Sequence, residues 1–391
     1  MSLGQALGVK PQMRMRGMFM RELDLVTLGA VAGLVAIGLL AIFTATVDPE
    51  AGTLLKASSA LFNRQLVFLV LGAATLVVTV FFDYRHFKVY ATVMYLVTLF
   101  LLFVVLTPIG SSAQGSQRWI SLGAFKLQPA ELAKPVLVAM LAAYISDKRG
   151  YLGLRQIIAC AAFTAPLAMA VFIQPDFGTM LVLLWILLTM LIIGGADWKI
   201  MATLIVVGVV GVVGLFQTPL VHGYQQKRFE AFVDPAKDPY QEGYNYITTR
   251  TAVGNGGLMG RGLFSRKDPV NLTAGAYVRN QPTDFVFTAV AEEMGFVGGL
   301  TLLILYGILF VRGMRAAAMA RDAFGSLLAT GLVSYLAFQV FVNIGMTVGL
   351  VPITGIPLPF ISYGGSSLVI TMLCVGLLLS VRMRRFARAL P

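Results

Sequence analysis

Ten mostly apolar stretches recur from one end of this 391-residue chain to the other. Runs of about 20 apolar residues match the thickness of a bilayer core, where a backbone must satisfy its own hydrogen bonds by forming helices. The runs are Leu25–Thr46, Phe62–Phe82, Phe87–Thr107, Pro129–Ile145, Arg155–Ile173, Phe177–Ile193, Ile200–Phe216, Phe285–Val311, Ala323–Ile344 and Ser366–Val381. Pro129–Ile145 is the least apolar, because it holds Glu131 and Lys134, and Ile200–Phe216 is short, so eight or nine spans stay open as counts. Composition points the same way. Only 12% of the residues are charged and 58% are hydrophobic, against roughly 25% charged in a soluble domain. The expected fold class is an all-α polytopic membrane protein with about ten transmembrane helices.

Lysine and arginine in short flanks set orientation. With the N-terminus inside, the inner flanks collect Arg14, Arg16, Lys148, Arg149, Arg312, Arg315 and the run from Arg382 to Arg388. The short outer loops hold only Lys56, Arg64, Arg118 and Lys126. Both termini are expected in the cytoplasm. The net charge of +12 is then mainly a topology signal and not a nucleic-acid footprint. The first twenty residues are polar and basic, and no cleavage site follows the first apolar run, so no removable leader is expected. Cys160 and Cys374 lie in apolar runs as packing residues. His86 and His222 are far apart and make no metal pattern. Three parts result: a basic extension over 1–24, one membrane domain over 25–381, and a basic tail over 382–391.

The outer loop from Gln217 to Thr283, between the seventh and eighth spans, is the exceptional polar segment. Loops of this length are usually functional. It carries Lys227, Arg228, Lys237, Arg250, Arg261, Arg266, Lys267 and Arg279. An anionic ligand or headgroup explains them as well as a solvated lid does. The loop ends at Asp284, where a partly desolvated carboxylate suits a general base, or a helix cap. Glu292 and Glu293 lie two turns deeper and should face the protein interior. Glu131 and Lys134, three residues apart, share a helix face and either line a polar cavity or lock helix packing. Arg118 has the geometry to grip a phosphate, next to Trp119 as an interfacial anchor. Asp176, in a tight turn, reads as a helix cap before a catalytic group. Gly254 to Gly262 lacks the strand and helix of a phosphate loop and reads as a flexible turn. The stretch Val351 to Ser367 is apolar but broken by prolines and glycines, so it is expected as a structured or re-entrant loop.

Several of these segments together carry a family resemblance. They are Gln117-Arg118-Trp119, Gln128-Pro129-x-Glu131, Gln174-Pro175-Asp176-x-Gly178-Thr179, Gly254-x-Gly256-Gly257-x-x-Gly260-x-Gly262, Thr283-Asp284-Phe285, and Gly355-Ile356-Pro357-Leu358-Pro359-Phe360 with Ser362-Tyr363-Gly364-Gly365-Ser366-Ser367. The chain resembles the SEDS family (shape, elongation, division and sporulation) over nearly its whole length after about residue 20. Two places depart from the family pattern. Arg279-Asn280-Gln281-Pro282 stands where relatives carry a Glu and often a His, and Thr248-Thr249-Arg250-Thr251 replaces a polar stretch while keeping its cation.

The resemblance implies a ten-span peptidoglycan glycosyltransferase. Such enzymes polymerise lipid II, an undecaprenyl-diphosphate-linked disaccharide-pentapeptide, at the outer face of the cytoplasmic membrane, beside a class B penicillin-binding protein. It places the essential acid on Asp284 and an acid–base pair on Glu131 and Lys134. Thr283, Ser366, Arg118, Arg228 and Arg250 are the expected substrate contacts. A leaving diphosphate calls for cationic stabilisation, by arginines and a divalent cation, Mg²⁺ or Mn²⁺, whose ligands the sequence does not single out. A lipid flippase and a non-enzymatic scaffold are the competing functional classes. Against transport stands the clustering of polar motifs on one side, with no inverted repeat.

Overall fold

The computed structural model describes residues 23–46, 60–113, 116–123, 125–148, 152–216, 223–237, 242–263, 278 and 280–385. The basic extension up to residue 22, the tail from 386, and Arg266, Lys267 and Arg279 of the long loop lie outside them.

Each of the ten apolar runs coincides with a helix. These are α1 (Leu25–Thr46), α2 (Ala60–Phe81), a short α3 (Arg85–Val89) leading into α4 (Ala91–Val105), α5 (Pro129–Ser146), α6 (Leu154–Ile173), α7 (Phe177–Ile193), α8 (Trp198–Phe216), α11 (Val286–Ala318), α12 (Ala323–Val348) and α13 (Gly365–Met383). The long polar loop adds α9 (Gly223–Val233) and α10 (Glu242–Asn255), joined through a 3₁₀ turn at Pro235–Lys237. Among the described residues seven helices are long and apolar enough to cross a membrane, while α4 and α7 are apolar but shorter. Burial sorts centre from rim. About three quarters of the most apolar 18-residue stretch of α5, α12 and α13 is enclosed, against 28% of that stretch in α2 and 33% in α11. A helix that is apolar all round and also enclosed belongs at the centre of a bundle. Helices that leave Val70, Val78, Phe100 or Phe296 uncovered present them to lipid.

One end of the bundle is clamped by ion pairs. Asp24 accepts from both nitrogens of the Arg312 fork, at 2.7 and 2.5 Å, and also pairs with Arg382. The starts and ends of α1, α11 and α13 are thereby tied together. Burial acts to raise the Asp24 carboxyl, but the bonds from Arg312 and Thr27 and the charge of Arg382 outweigh it and hold it below its ordinary value. Beside this clamp Tyr84 donates to Asp322 at 2.6 Å, and Asp322 caps α12 through the Gly325 amide.

The opposite end carries the irregular elements. Three short antiparallel strands, β1 (Gly110–Ala113), β2 (Ser116–Leu122) and β3 (Phe125–Leu127), form a small sheet between α4 and α5. It is a detail absent from the all-helical expectation. The segment Leu350–Gly364 forms no regular span, as its prolines and glycines dictate. It starts where Gly349 ends α12 in a left-handed conformation (φ +80°), a position that favours glycine.

Candidate functional site

Asp284 stands at the head of α11, and three separate parts of the chain fix it there. Its own amide donates to the Asn280 carbonyl at 3.0 Å. The Tyr363 amide, from the broken segment, donates to the Pro282 carbonyl at 2.8 Å. Asn343 of α12 donates its side-chain amide to the Asp284 carbonyl at 2.8 Å and to the Ile356 carbonyl at 2.7 Å. The Thr-Asp-Phe motif and the Gly-Ile-Pro-Leu-Pro-Phe motif, 70 residues apart in the chain, are thus one unit in space. A Cβ added at Gly355 would lie 3.6 Å from Asp284 Oδ2, so the bare glycine backbone (φ +74°) forms the wall beside the carboxylate.

The departing residues before Thr283 supply this local frame. Asn280 adopts a left-handed φ of 53°, which asparagine tolerates better than most residues. Its carbonyl then gathers the amides of Thr283 and Asp284 and the Thr283 hydroxyl. Gln281 donates to the Thr288 hydroxyl at 2.8 Å, one turn into α11.

Positive charge converges on the same place from two further elements. Arg118 of β2 donates to the carbonyls of Gln174 (3.1 Å) and Pro175 and reaches Asp176 Oδ2 at 3.9 Å. Arg228 of α9 reaches the Ile353 carbonyl at 3.4 Å. Asp176 accepts from both the amide and the hydroxyl of Thr179, capping α7 as its turn predicts. It also faces Arg118, so the cap and the site are one residue. The Asp284 carboxyl is half-buried, and its pKa is shifted accordingly. Burial pushes it above its ordinary value. The charges of Arg228 and Arg118 and the Thr283 hydroxyl pull it down, and Asp176 adds to the rise. A carboxylate held upward yet flanked by guanidinium groups is suited to accept a proton close to an anionic ligand.

Glu131 and Lys134 lie one turn into α5 as a closed ion pair at 2.7 Å, with side chains 5% and 1% exposed. Tyr335 of α12 and Cys374 of α13 bond each other at 2.7 Å within electrostatic reach of that pair. The enclosure matches the packing-lock alternative better than an open polar cavity. Ser366 is also internal. Its hydroxyl donates to the Lys126 carbonyl and accepts from the Gln128 amide, joining β3 and α5 to α13. Arg250 is not gathered with Arg118 and Arg228. It donates to the Gly349 carbonyl at 3.1 Å and lies over the Tyr246 ring, closing the end of α12.

The glycine-rich turn after α10 has a role the sequence did not disclose. α11 is broken at Gly295 (φ 65°, ψ −161°), a conformation open to glycine alone. The turn docks into that break. Arg261 and Gly262 amides donate to the carbonyls of Glu292 and Glu293 at 2.9 and 3.1 Å, and the Phe296 and Val297 amides donate to Gly257 and Leu258 at 2.9 and 3.2 Å. Backbone freed by the break is re-paired, as a bilayer requires. Gly260→Ala would put a Cβ 2.1 Å from the Glu293 carbonyl oxygen in a left-handed conformation, whereas a Cβ at Gly254 meets nothing within 4 Å. Strain and backbone displacement should together cost Gly260→Ala about 2–5 kcal/mol. The helical Gly254→Ala should be neutral or slightly stabilising. Thermal unfolding of the two variants checks the contrast.

Residues 25–386 match the family model of the FtsW, RodA and SpoVE cell cycle proteins. The stage V sporulation protein E of Bacillus subtilis is 35% identical over 322 residues, covering 82% of this chain and 86% of its own. The peptidoglycan glycosyltransferase MrdB of Escherichia coli K12 is 34% identical over 327 residues, covering 83% and 86%. Among solved structures, the rod shape determining protein RodA of Thermus thermophilus superposes with a TM-score of 0.68 at 29% identity, covering 93% of this chain and 98% of its own. A chain of a peptidoglycan synthase complex, described as coordinating polymerization and crosslinking, superposes at 0.77 with 30% identity, covering 93% and 99%. The chain belongs to the FtsW/RodA/SpoVE family, the SEDS proteins, and is a multi-pass membrane protein.

Proposed function

We propose that this chain is a peptidoglycan glycosyltransferase that polymerises lipid II, with Asp284 as its general base. The observation that carries the reading is Asp284 at the Gly355 wall, under the charge of Arg228, which holds the nearby Ile353 carbonyl, and of Arg118. A glycosyl transfer from a polyprenyl-diphosphate donor needs two things there. One is a base that takes the proton from the acceptor hydroxyl as it attacks the anomeric carbon. The other is positive charge where the diphosphate leaves. Asp284 provides the first, and the two arginines provide the second. Names borne by the relatives, peptidoglycan glycosyltransferase among them, support the same activity.

Among the described residues no group of three His, Cys, Asp or Glu side chains gathers. A Mg²⁺ or Mn²⁺ would therefore take most of its oxygen ligands from the diphosphate and water, as such ions commonly do. Asp176 is the protein carboxylate best placed to complete the set, and the bound ion would neutralise charge on the leaving group. The enclosed Glu131–Lys134 pair would support the site by holding α5 in place, and Thr283 would tune Asp284 through its hydroxyl.

The charge bias of the short flanks supports placing the site at the outer face of the cytoplasmic (inner) membrane. A class B penicillin-binding protein would be the transpeptidase partner, consistent with the synthase complex to which this chain is similar. Lipid II polymerisation by the purified, partner-bound chain tests the reading. Glycan product is expected from the wild type. Translocation of labelled lipid II without any product, in vesicles, would assign the chain to transport instead.

A further inference from the structure

We propose that Asn343, in the last two turns of the enclosed helix α12, is the positioning residue of the Asp284 carboxylate. The inference rests on Asp284 being the base. Asn343 is fully buried, and its amide nitrogen makes two bonds, to the carbonyls of Asp284 and Ile356. Those carbonyls belong to the two motifs that build the site. One side chain thus sets the separation between the base and the Gly355 wall that runs beside it. The orientation of the amide is fixed by chemistry, since the opposite flip would aim an oxygen at two carbonyl oxygens.

The other end of the same group argues for function over stability. Among the described residues, the buried Asn343 Oδ1 meets no hydrogen-bond donor. A stranded acceptor costs about 1–3 kcal/mol, and stranded buried groups are rare enough in native proteins to need a reason. The surrounding sequence, Phe341-Val342-Asn343-Ile344, is otherwise apolar. A residue serving packing alone would be apolar here. What asparagine adds is a two-pronged donor of fixed span, which no aliphatic side chain offers. Displacement of a reacting group by about 1 Å can cost 10²-fold in rate. Loss of this tether should therefore be read mainly in the chemical step.

The test compares Asn343→Leu, which removes both donors at similar size, and Asn343→Asp, which keeps the shape but replaces the donors with acceptors. Both are made in the full chain with its partner, alongside Asp284→Asn. Lipid II polymerisation is followed as kcat and KM across pH. Among the described residues the charges acting on Asp284 are Arg228 from α9, Arg118 from β2 and Asp176 at the start of α7, with none from the Gly355 wall. Moving the carboxylate among them must shift its titration, which a mere loss of folded protein does not do. The expected result is a kcat lower by about 10- to 100-fold, KM within about threefold, and an acid limb of kcat displaced by more than about 0.5 pH unit. Variants that keep the wild-type kcat and acid limb overturn the proposal, as do variants that both fail to fold, which assigns Asn343 to the fold. A fully active Asp284→Asn overturns the base assignment itself, whatever the Asn343 variants do.

Discussion

Asp284→Asn is expected to lower lipid II polymerisation by about 10²- to 10⁴-fold, the range that a positioned general base contributes. The substitution replaces one carboxylate oxygen by an amide nitrogen and keeps the Asn343 and Asn280 tethers, because both act on the backbone of residue 284. Its effect on stability should have the opposite sign. The carboxyl is raised above its ordinary value in the folded chain, chiefly by burial. The folded state therefore holds that proton more tightly than the unfolded state does. Stability is highest below the ordinary value and declines as pH rises through the window up to the raised one. At neutral pH the ionised group costs stability that a neutral amide does not. Asp284→Asn should melt at the same temperature as wild type or higher while losing its activity. In wild type the same shift predicts the pH profile. Polymerisation is full above the raised value and falls as pH drops through it, since the protonated acid cannot accept the acceptor's proton. A rate in Asp284→Asn within twofold of wild type would remove the base from this position. Retained loss of activity with a markedly lower melting temperature would make Asp284 a structural residue.

The helices were legible because their signal is long and repeated. Each apolar run exceeds what noise produces, and the structure places a helix on each. Short elements carry no such signal. β1 to β3 are three to seven residues of mixed polarity around Gly110–Leu127, too brief for an alternation to stand out. The break at Gly295 hid inside an apolar run, because Gly295-Phe296-Val297-Gly298-Gly299 reads as an ordinary stretch of span. Its partner loop was legible as glycine-rich but not as docked, since spacing does not say what a close backbone approach approaches. Asp176 illustrates a different limit. Its cap role follows from local spacing, but its second role depends on Arg118, which is 58 positions earlier in sequence and meets it only through the β2 turn. Asn343 was the detectable omission. A lone asparagine between valine and isoleucine in a span is a costly choice, and cost of that kind marks a group with buried partners.

Arg250 shows how a charge can be displaced from the role its type suggests. It is a cation in the long polar loop, but α10 directs it onto Gly349, where it closes the last carbonyls of α12. A Cβ at Gly349 would lie 2.1 Å from the guanidinium, so glycine there and arginine at 250 specify each other. The broken segment begins at that point, with the Ile353 amide bonded to the Tyr246 hydroxyl at 2.7 Å. The polar loop thus braces the wall of the site, and among the described residues the positive charges that act on Asp284 are those of Arg118 and Arg228.

The largest stability effect is expected at the buried pair in α5. Lys134→Met removes a cation whose bond to Glu131 is 2.7 Å long and almost wholly enclosed. Left alone, Glu131 would keep an uncompensated charge between α5, α12 and α13, and breaking a buried pair from one side typically costs about 3–5 kcal/mol. Thermal unfolding of the single variant should therefore show a large loss. Adding Glu131→Gln removes the stranded charge, and replacing both members of a buried pair is often neutral. The double variant Glu131→Gln, Lys134→Met should recover most of the melting temperature. Polymerisation should return with it, because the pair is enclosed and Lys134, 1% exposed, is closed to a bound diphosphate. Tyr335 and Cys374 bond each other next to the pair and not to it, so they supply no replacement charge in the single variant. A double variant that melts like wild type but forms no glycan would contradict the packing role. It would place the lysine ammonium in the reaction, which requires a motion of α5 that opens the enclosure to substrate.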